Sequence, residues 1–109
     1  MFPLIRASRL LQSPRYFGEL VPDLVVEIKS QSDKIKLIVA KILKFIELGA
    51  IVGILIDPDE ETVTIYRSTN ESIVLENGDI LTIPELFHGW ELPITELWPP
   101  IFTEEETQI

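Results

Sequence analysis

From Asp33 to Leu48 the chain contains no proline or glycine, and Gly49 follows at once as a natural helix stop. Apolar, β-branched stretches flank this run on both sides, Pro22 to Ser30 before it and Ala50 to Ile56 after it. A strand, a helix and a second strand in that order predict a parallel strand pair joined by a right-handed helical crossover. This is the strongest constraint on the fold. On a helical wheel Ile35, Ile38, Val39, Ile42, Leu43, Phe45 and Ile46 make a wide apolar face for packing on a sheet. Lys34, Lys36, Lys41, Lys44 and Glu47 occupy the other side; such a face can touch phosphate but is usually solvated. Ser30 to Asp33 supply candidate N-caps.

In the first strand, alternation sends Leu24, Val26 and Ile28 to one side and Asp23, Val25, Glu27 and Lys29 to the other. Ala50 to Ile56 reads as a strand buried on both faces and closed by Asp57-Pro58-Asp59. Thr62 to Arg67 alternates as a strand, and Ser72 to Leu75, Asn77-Gly78 and Ile80 to Thr82 predict a hairpin with a primed turn. The fold class is therefore α/β, a mixed β-sheet with a helix crossover after its first strand and antiparallel strands beyond. At 109 residues one domain is expected, with an irregular arm over 1–21, the domain over 22–98 and an acidic tail over 99–109. The proline-punctuated stretch after Thr82, with Phe87, Trp90, Leu92 and Trp98, is expected to pack as short turns over a sheet edge.

Composition removes several chemistries. With no cysteine there is no disulfide, zinc–thiolate site or thiol nucleophile. His88 stands alone, so no Ser-His-Asp set can form, and a surface or packing role is expected for it. Gly49 and Gly53 do not make a phosphate-binding loop. No apolar run approaches the roughly 20 residues of a membrane span and no signal peptide is evident, so no membrane partner and a cytoplasmic location are expected. The net charge of −9 confines any nucleic-acid contact to a local patch. The acidic groups at Asp57, Asp59, Glu60 and Glu61 and at Glu104 to Glu106 read as a solvated turn and tail, not as metal sites.

What remains is Glu27-Ile28-Lys29, a charged pair sharing one face of an apolar strand. Burying ionised groups costs several kcal/mol unless they are paired or bind a metal. One reading turns this face to solvent or to a structural salt bridge. In the other, Glu27 offers oxygen to a divalent metal such as Mg2+, and Lys29 stabilises a phosphate or positions a water. Asp23 is the obvious second carboxylate by sequence, but four residues of extended strand separate it from Glu27 by about 13 Å.

The run VPDLVVEIKSQSDKIKLIVAKILKFIELGAIVGILIDPDEETVTIYR resembles the heart of the Uma-type restriction endonuclease family, within the PD-(D/E)xK nuclease superfamily. Lys41, Phe45, Gly49, Asp57 and Pro58 fall where that family's pattern expects Lys, an aromatic, Gly, Asp and Pro, and GDILTIPELFHGWELPITELW is similar to its C-terminal segment. The resemblance implies a restriction-endonuclease-like fold and Mg2+-dependent cleavage of DNA. It places Glu27 and Lys29 as catalytic residues, Glu27 as metal ligand, and Asp23 and Lys41 as binding positions. It also implies an Asp on a preceding strand and often a Glu on an earlier helix. Before Pro22, however, the chain has only Glu19, nothing there reads as a strand bearing Pro-Asp, and Gln31 stands where the family usually has Pro. Two expectations follow: a magnesium-dependent endonuclease with an incomplete active site, or an inactive truncated relative serving as an interaction module. Either is expected to form a homo-oligomer, which would bury the apolar arm and tail or bring in the missing carboxylate.

Overall fold

The computed structural model describes residues 5–7, 21–69 and 71–99, so most of the expected arm and tail lies outside the described residues. Strands β1 (Ile5–Ala7) and β2 (Leu24–Ile28) run parallel, with Ile5 opposite Leu24 and Ala7 opposite Val26. The arm expected to be irregular thus contributes a strand. Three residues are too few to show a period, and this strand is defined by the backbone groups of β2 that it pairs with.

Helix α1 (Ile35–Leu48) then crosses to β3 (Val52–Asp57), which is parallel to β2, as the strand–helix–strand pattern predicts. Strands β4 (Thr62–Arg67) and β5 (Ser72–Leu75) follow antiparallel, giving a mixed five-stranded sheet ordered β1-β2-β3-β4-β5. The helix begins two residues later than the expected Asp33. Asp33 Oδ2 accepts from the Ser30 amide at 2.8 Å, so this carboxylate closes a turn, and Lys34 stands at the N-cap without a side-chain cap. The other end matches expectation: Gly49, at φ 124°, donates to the Ile46 carbonyl, and Ala50 donates to that of Phe45. This pair of bonds is a Schellman motif, and the Phe45–Ala50 contact it creates packs on Val25 of β2.

The seat of α1 on the sheet is Gly53. A Cβ there would overlap the Ile42 Cγ2 methyl and sit 3.7 Å from Ile46 Cδ1. The missing side chain lets Ile42 and Ile38 reach Leu55, and all three are buried.

Leu24, Val52, Ile54, Val63 and Ile65 form the opposite face of the sheet and pack beneath Leu81, Ile83 and Ile94. The covering layer is a second, two-stranded sheet of β6 (Ile80–Thr82) and β7 (Glu91–Pro93), followed by a 3-10 turn at Ile94–Leu97. The hairpin expected between β5 and β6 does not form, because β6 pairs with β7 and the two strands belong to different sheets. Asp79 donates to the Glu76 carbonyl across Asn77-Gly78, and Gly78 has φ 100° while Asn77 is not among the positive-φ residues. A primed turn needs positive φ at both central positions; positive φ at the second alone is the type II pattern, which splays flanking strands apart. The covering layer is tied down by Trp98 Nε1 donating to Asn77 Oδ1 (2.7 Å) and Asn77 Nδ2 donating to Glu61 Oε1 (2.8 Å). Between the layers lies a cavity of about 340 Å³ walled by apolar groups including Val26, Ile54, Phe87 and Trp90. No helix among the described residues is long and apolar enough to cross a membrane.

Two expected outcomes test this packing. Replacing Gly53 by Ala should lower the unfolding free energy by about 1–3 kcal/mol, the usual cost of overpacking, as measured by urea denaturation. The second concerns the fork between Arg67 and Glu85, with Nε–Oε2 at 2.7 Å and Nη2–Oε1 at 3.2 Å. The Arg67 hydrogen bond holds the Glu85 carboxyl below the ordinary glutamate value, against an opposing effect of burial. A carboxyl lowered in the folded state stabilises the fold above its unfolded pKa, and that stability is lost as pH falls through the lowered value. Arg67→Gln should therefore cost about 0.5–1 kcal/mol at neutral pH, and the difference from wild type should vanish in acid.

Candidate functional site

The sheet has one chemically silent face and one that carries charge. Val25, Glu27 and Lys29 lie on the α1 side, where register sets Val25 beside Gly53 and Glu27 beside Leu55. Glu27 is only 6% exposed. The cation beside it comes from the helix: Lys41 Nζ lies 3.7 Å from Glu27 Oε1, with the lysine side chain 26% exposed. Lys41 sits one residue before the Ile42 that rests on Gly53, so the close approach of helix to sheet brings the lysine over β2. A carboxylate at that depth is tolerable because an opposite charge is held next to it.

Lys29, two residues along the strand, does not share this arrangement. Its ammonium lies 3.6 Å from Asp59 Oδ2 and donates to the Ser30 carbonyl at 3.3 Å. Asp23 stands before the start of β2, and its carbonyl accepts from the amides of Ile51 and Val52 at 2.9 and 3.1 Å, which fixes the entry of β3. Contrary to the expectation of a solvated acidic turn, Asp57 is buried, and its Oδ1 accepts from the Asp59 and Glu60 amides at 3.1 and 3.2 Å. It therefore holds the turn from inside, while Asp59 and Glu60 are exposed. His88 is exposed in the loop before β7. The large apolar cavity lies across the sheet from Glu27 and offers no polar group for chemistry. Among the described residues no three Asp, Glu, His or Cys side chains converge as a metal site.

The model of the Uma2 family, described as "Putative restriction endonuclease", matches residues 5–95. The chain belongs to the Uma2 family. A crystal structure of a "putative nuclease belonging to DUF820" from Anabaena variabilis ATCC 29413 superposes with a TM-score of 0.66 at 33% identity, covering 71% of this chain. The match spans 44% of that nuclease chain, so the present chain corresponds to less than half of it. No curated protein matches.

In this Uma2 chain the Glu27–Lys41 contact is the feature that sequence reasoning missed, because the helical wheel sets Lys41 on the charged side of α1 and the family resemblance gives it as a binding position without a partner. A signal was available. Lys41 lies three residues after Ile38 and four before Phe45, both buried, so it borders the apolar face instead of opposing it. A lysine at such a border lays its apolar stem along the core and directs its charge to the nearest acid.

A double-mutant cycle on Glu27→Gln and Lys41→Met reads this contact directly. Lys41→Met alone should cost about 1–3 kcal/mol, because it removes a cation held beside a buried carboxylate, reduced from the full buried-pair figure by the exposure of the lysine. In the Glu27→Gln background the same substitution should cost less than half as much; equal costs in urea denaturation would show that the two groups are not coupled.

Proposed function

We propose that this Uma2 chain takes part in phosphodiester hydrolysis of DNA as a magnesium-dependent endonuclease whose working pair is Glu27 and Lys41. The observation that supports this reading is a carboxylate buried on the inner strand of the sheet and held 3.7 Å from a half-buried lysine, in a chain of a nuclease-type family. Lys41 is suited to offset the negative charge that grows on phosphate oxygens in the transition state. Its surroundings exclude much of the water, and there a fixed cation acts more strongly than in bulk solvent. Glu27 keeps the ammonium in place before substrate arrives. Lys29 and Asp23 take supporting parts in this reading, Lys29 toward the phosphate from the strand end and Asp23 in fixing the strand entry.

Magnesium takes several hard oxygen ligands, and Glu27 alone is too few. The described residues do not by themselves fit the ion, so the metal dependence rests on a second carboxylate from outside them, for which a second copy of the chain is one source. With magnesium or manganese present, the pure full chain should nick supercoiled plasmid, and Glu27→Gln should lower the rate at least 100-fold while circular dichroism stays unchanged. Intact plasmid after prolonged incubation of wild type would overturn the proposal.

A second reading is favoured by the lack, among the described residues, of a convergent acidic cluster. Here the chain is an inactive relative that works as an interaction or oligomerisation module. It expects no cleavage and a stable homo-oligomer in sedimentation; a well-folded monomer counts against it.

A further inference from the structure

Charge is distributed unevenly along this acidic chain. Residues 29–48 hold five lysines against two acids, whereas residues 49–99 hold one arginine against ten acids. That arginine, Arg67, is bound in the fork with Glu85. Among residues 29–99, the surface that favours a polyanion is therefore the one along α1.

The lysines of α1 are not equivalent. At about 100° and 1.5 Å per residue, Lys34 and Lys44 fall within about 60° of Lys41 around the helix axis, about 10 Å before it and about 4.5 Å after it. Lys36 is turned about 140° away from Lys41 by the same geometry. Lys34 and Lys44 are exposed, and Lys44 meets Glu47 at 3.7 Å in a surface contact, a kind of pair that contributes little. The flank that carries Lys34 and Lys44 is thus the one along which Lys41 reaches Glu27.

We infer that a DNA backbone runs along this single flank of α1, with Lys34 and Lys44 contacting the phosphates on either side of the one that meets Lys41. Phosphates along a strand's own path are spaced more widely than their axial rise of about 3.4 Å, so a flank about 15 Å long faces a few of them. Lys36 takes no part. This inference rests on the proposed nuclease reading but assigns the substrate path, which that reading leaves open.

The test measures binding without hydrolysis. Fluorescence anisotropy of the full chain with a labelled 20-base-pair duplex, in calcium or EDTA, gives the affinity as a function of potassium chloride concentration. Lys34→Gln and Lys44→Gln should each weaken binding severalfold and reduce the slope of log affinity against log salt by about 0.9, the value for one lost phosphate contact. Lys36→Gln, which removes the same charge from the same helix, should leave both unchanged. Equal losses for all three variants, or no loss for Lys34→Gln and Lys44→Gln, would overturn the inference, as would absence of binding by wild type. Tight binding to an acidic protein or to a second copy that is lost in these two variants, with no DNA binding, would also overturn it. Cleavage is read separately: position-dependent salt slopes without plasmid nicking sustain the path while the catalytic reading fails, and nicking with unaltered slopes does the reverse.

Discussion

The closeness of α1 to β3 at Gly53 governs the geometry of the functional face. Any side chain at position 53 would meet Ile42, so its absence sets the depth at which the helix lies. That depth has two effects. Ile38, Ile42 and Phe45 lose their water, each with a stabilisation of about 1.5–3 kcal/mol, and Lys41 is carried within reach of a carboxylate on the neighbouring strand. A helix lying farther out would take Lys41 away from the buried Glu27 carboxylate.

Strand alternation divides the labour between the two faces. Leu24, Val26, Ile54 and Ile65 look toward the β6–β7 layer and a wholly apolar cavity, and that side supplies stability. Val25, Glu27 and Gly53 look toward α1, where hydrophobic seating and charge occur within one strand of each other. The polar bonds of the molecule serve this division. Asp57 fastens the β3–β4 turn, Asp33 closes the turn before the helix, and the Trp98–Asn77–Glu61 chain holds the covering layer in place.

The same segregation appears in the charges. A chain with a net charge of −9 nevertheless sets four lysines, Lys34, Lys36, Lys41 and Lys44, on or at the start of the helix that borders Glu27. Opposite charge placed beside a site raises the local concentration of an anionic substrate even when the molecule as a whole repels it.

The elements whose signals are local could be read from the amino-acid order alone. The crossover from β2 through α1 to parallel β3 was legible because a helix of that length can connect two strands of one sheet only as a crossover, and Gly49 marked its end. The antiparallel β4 and β5 were legible from their tight connecting turns, whereas the residues around Glu27 left open whether its face meets solvent, a salt bridge or a metal. Tertiary structure decided the rest, because it depends on partners distant in sequence. The pairing of β1 rests on the open edge of β2, and β6 joins β7 because the turn at Asn77-Gly78 has positive φ at only one position. The choice of Lys41 over Lys29 as the cation beside Glu27 has the same origin. Lys29 is nearer along the chain, but at its strand end the ammonium meets Asp59, whereas the helix seated on Gly53 delivers Lys41 to the buried carboxylate.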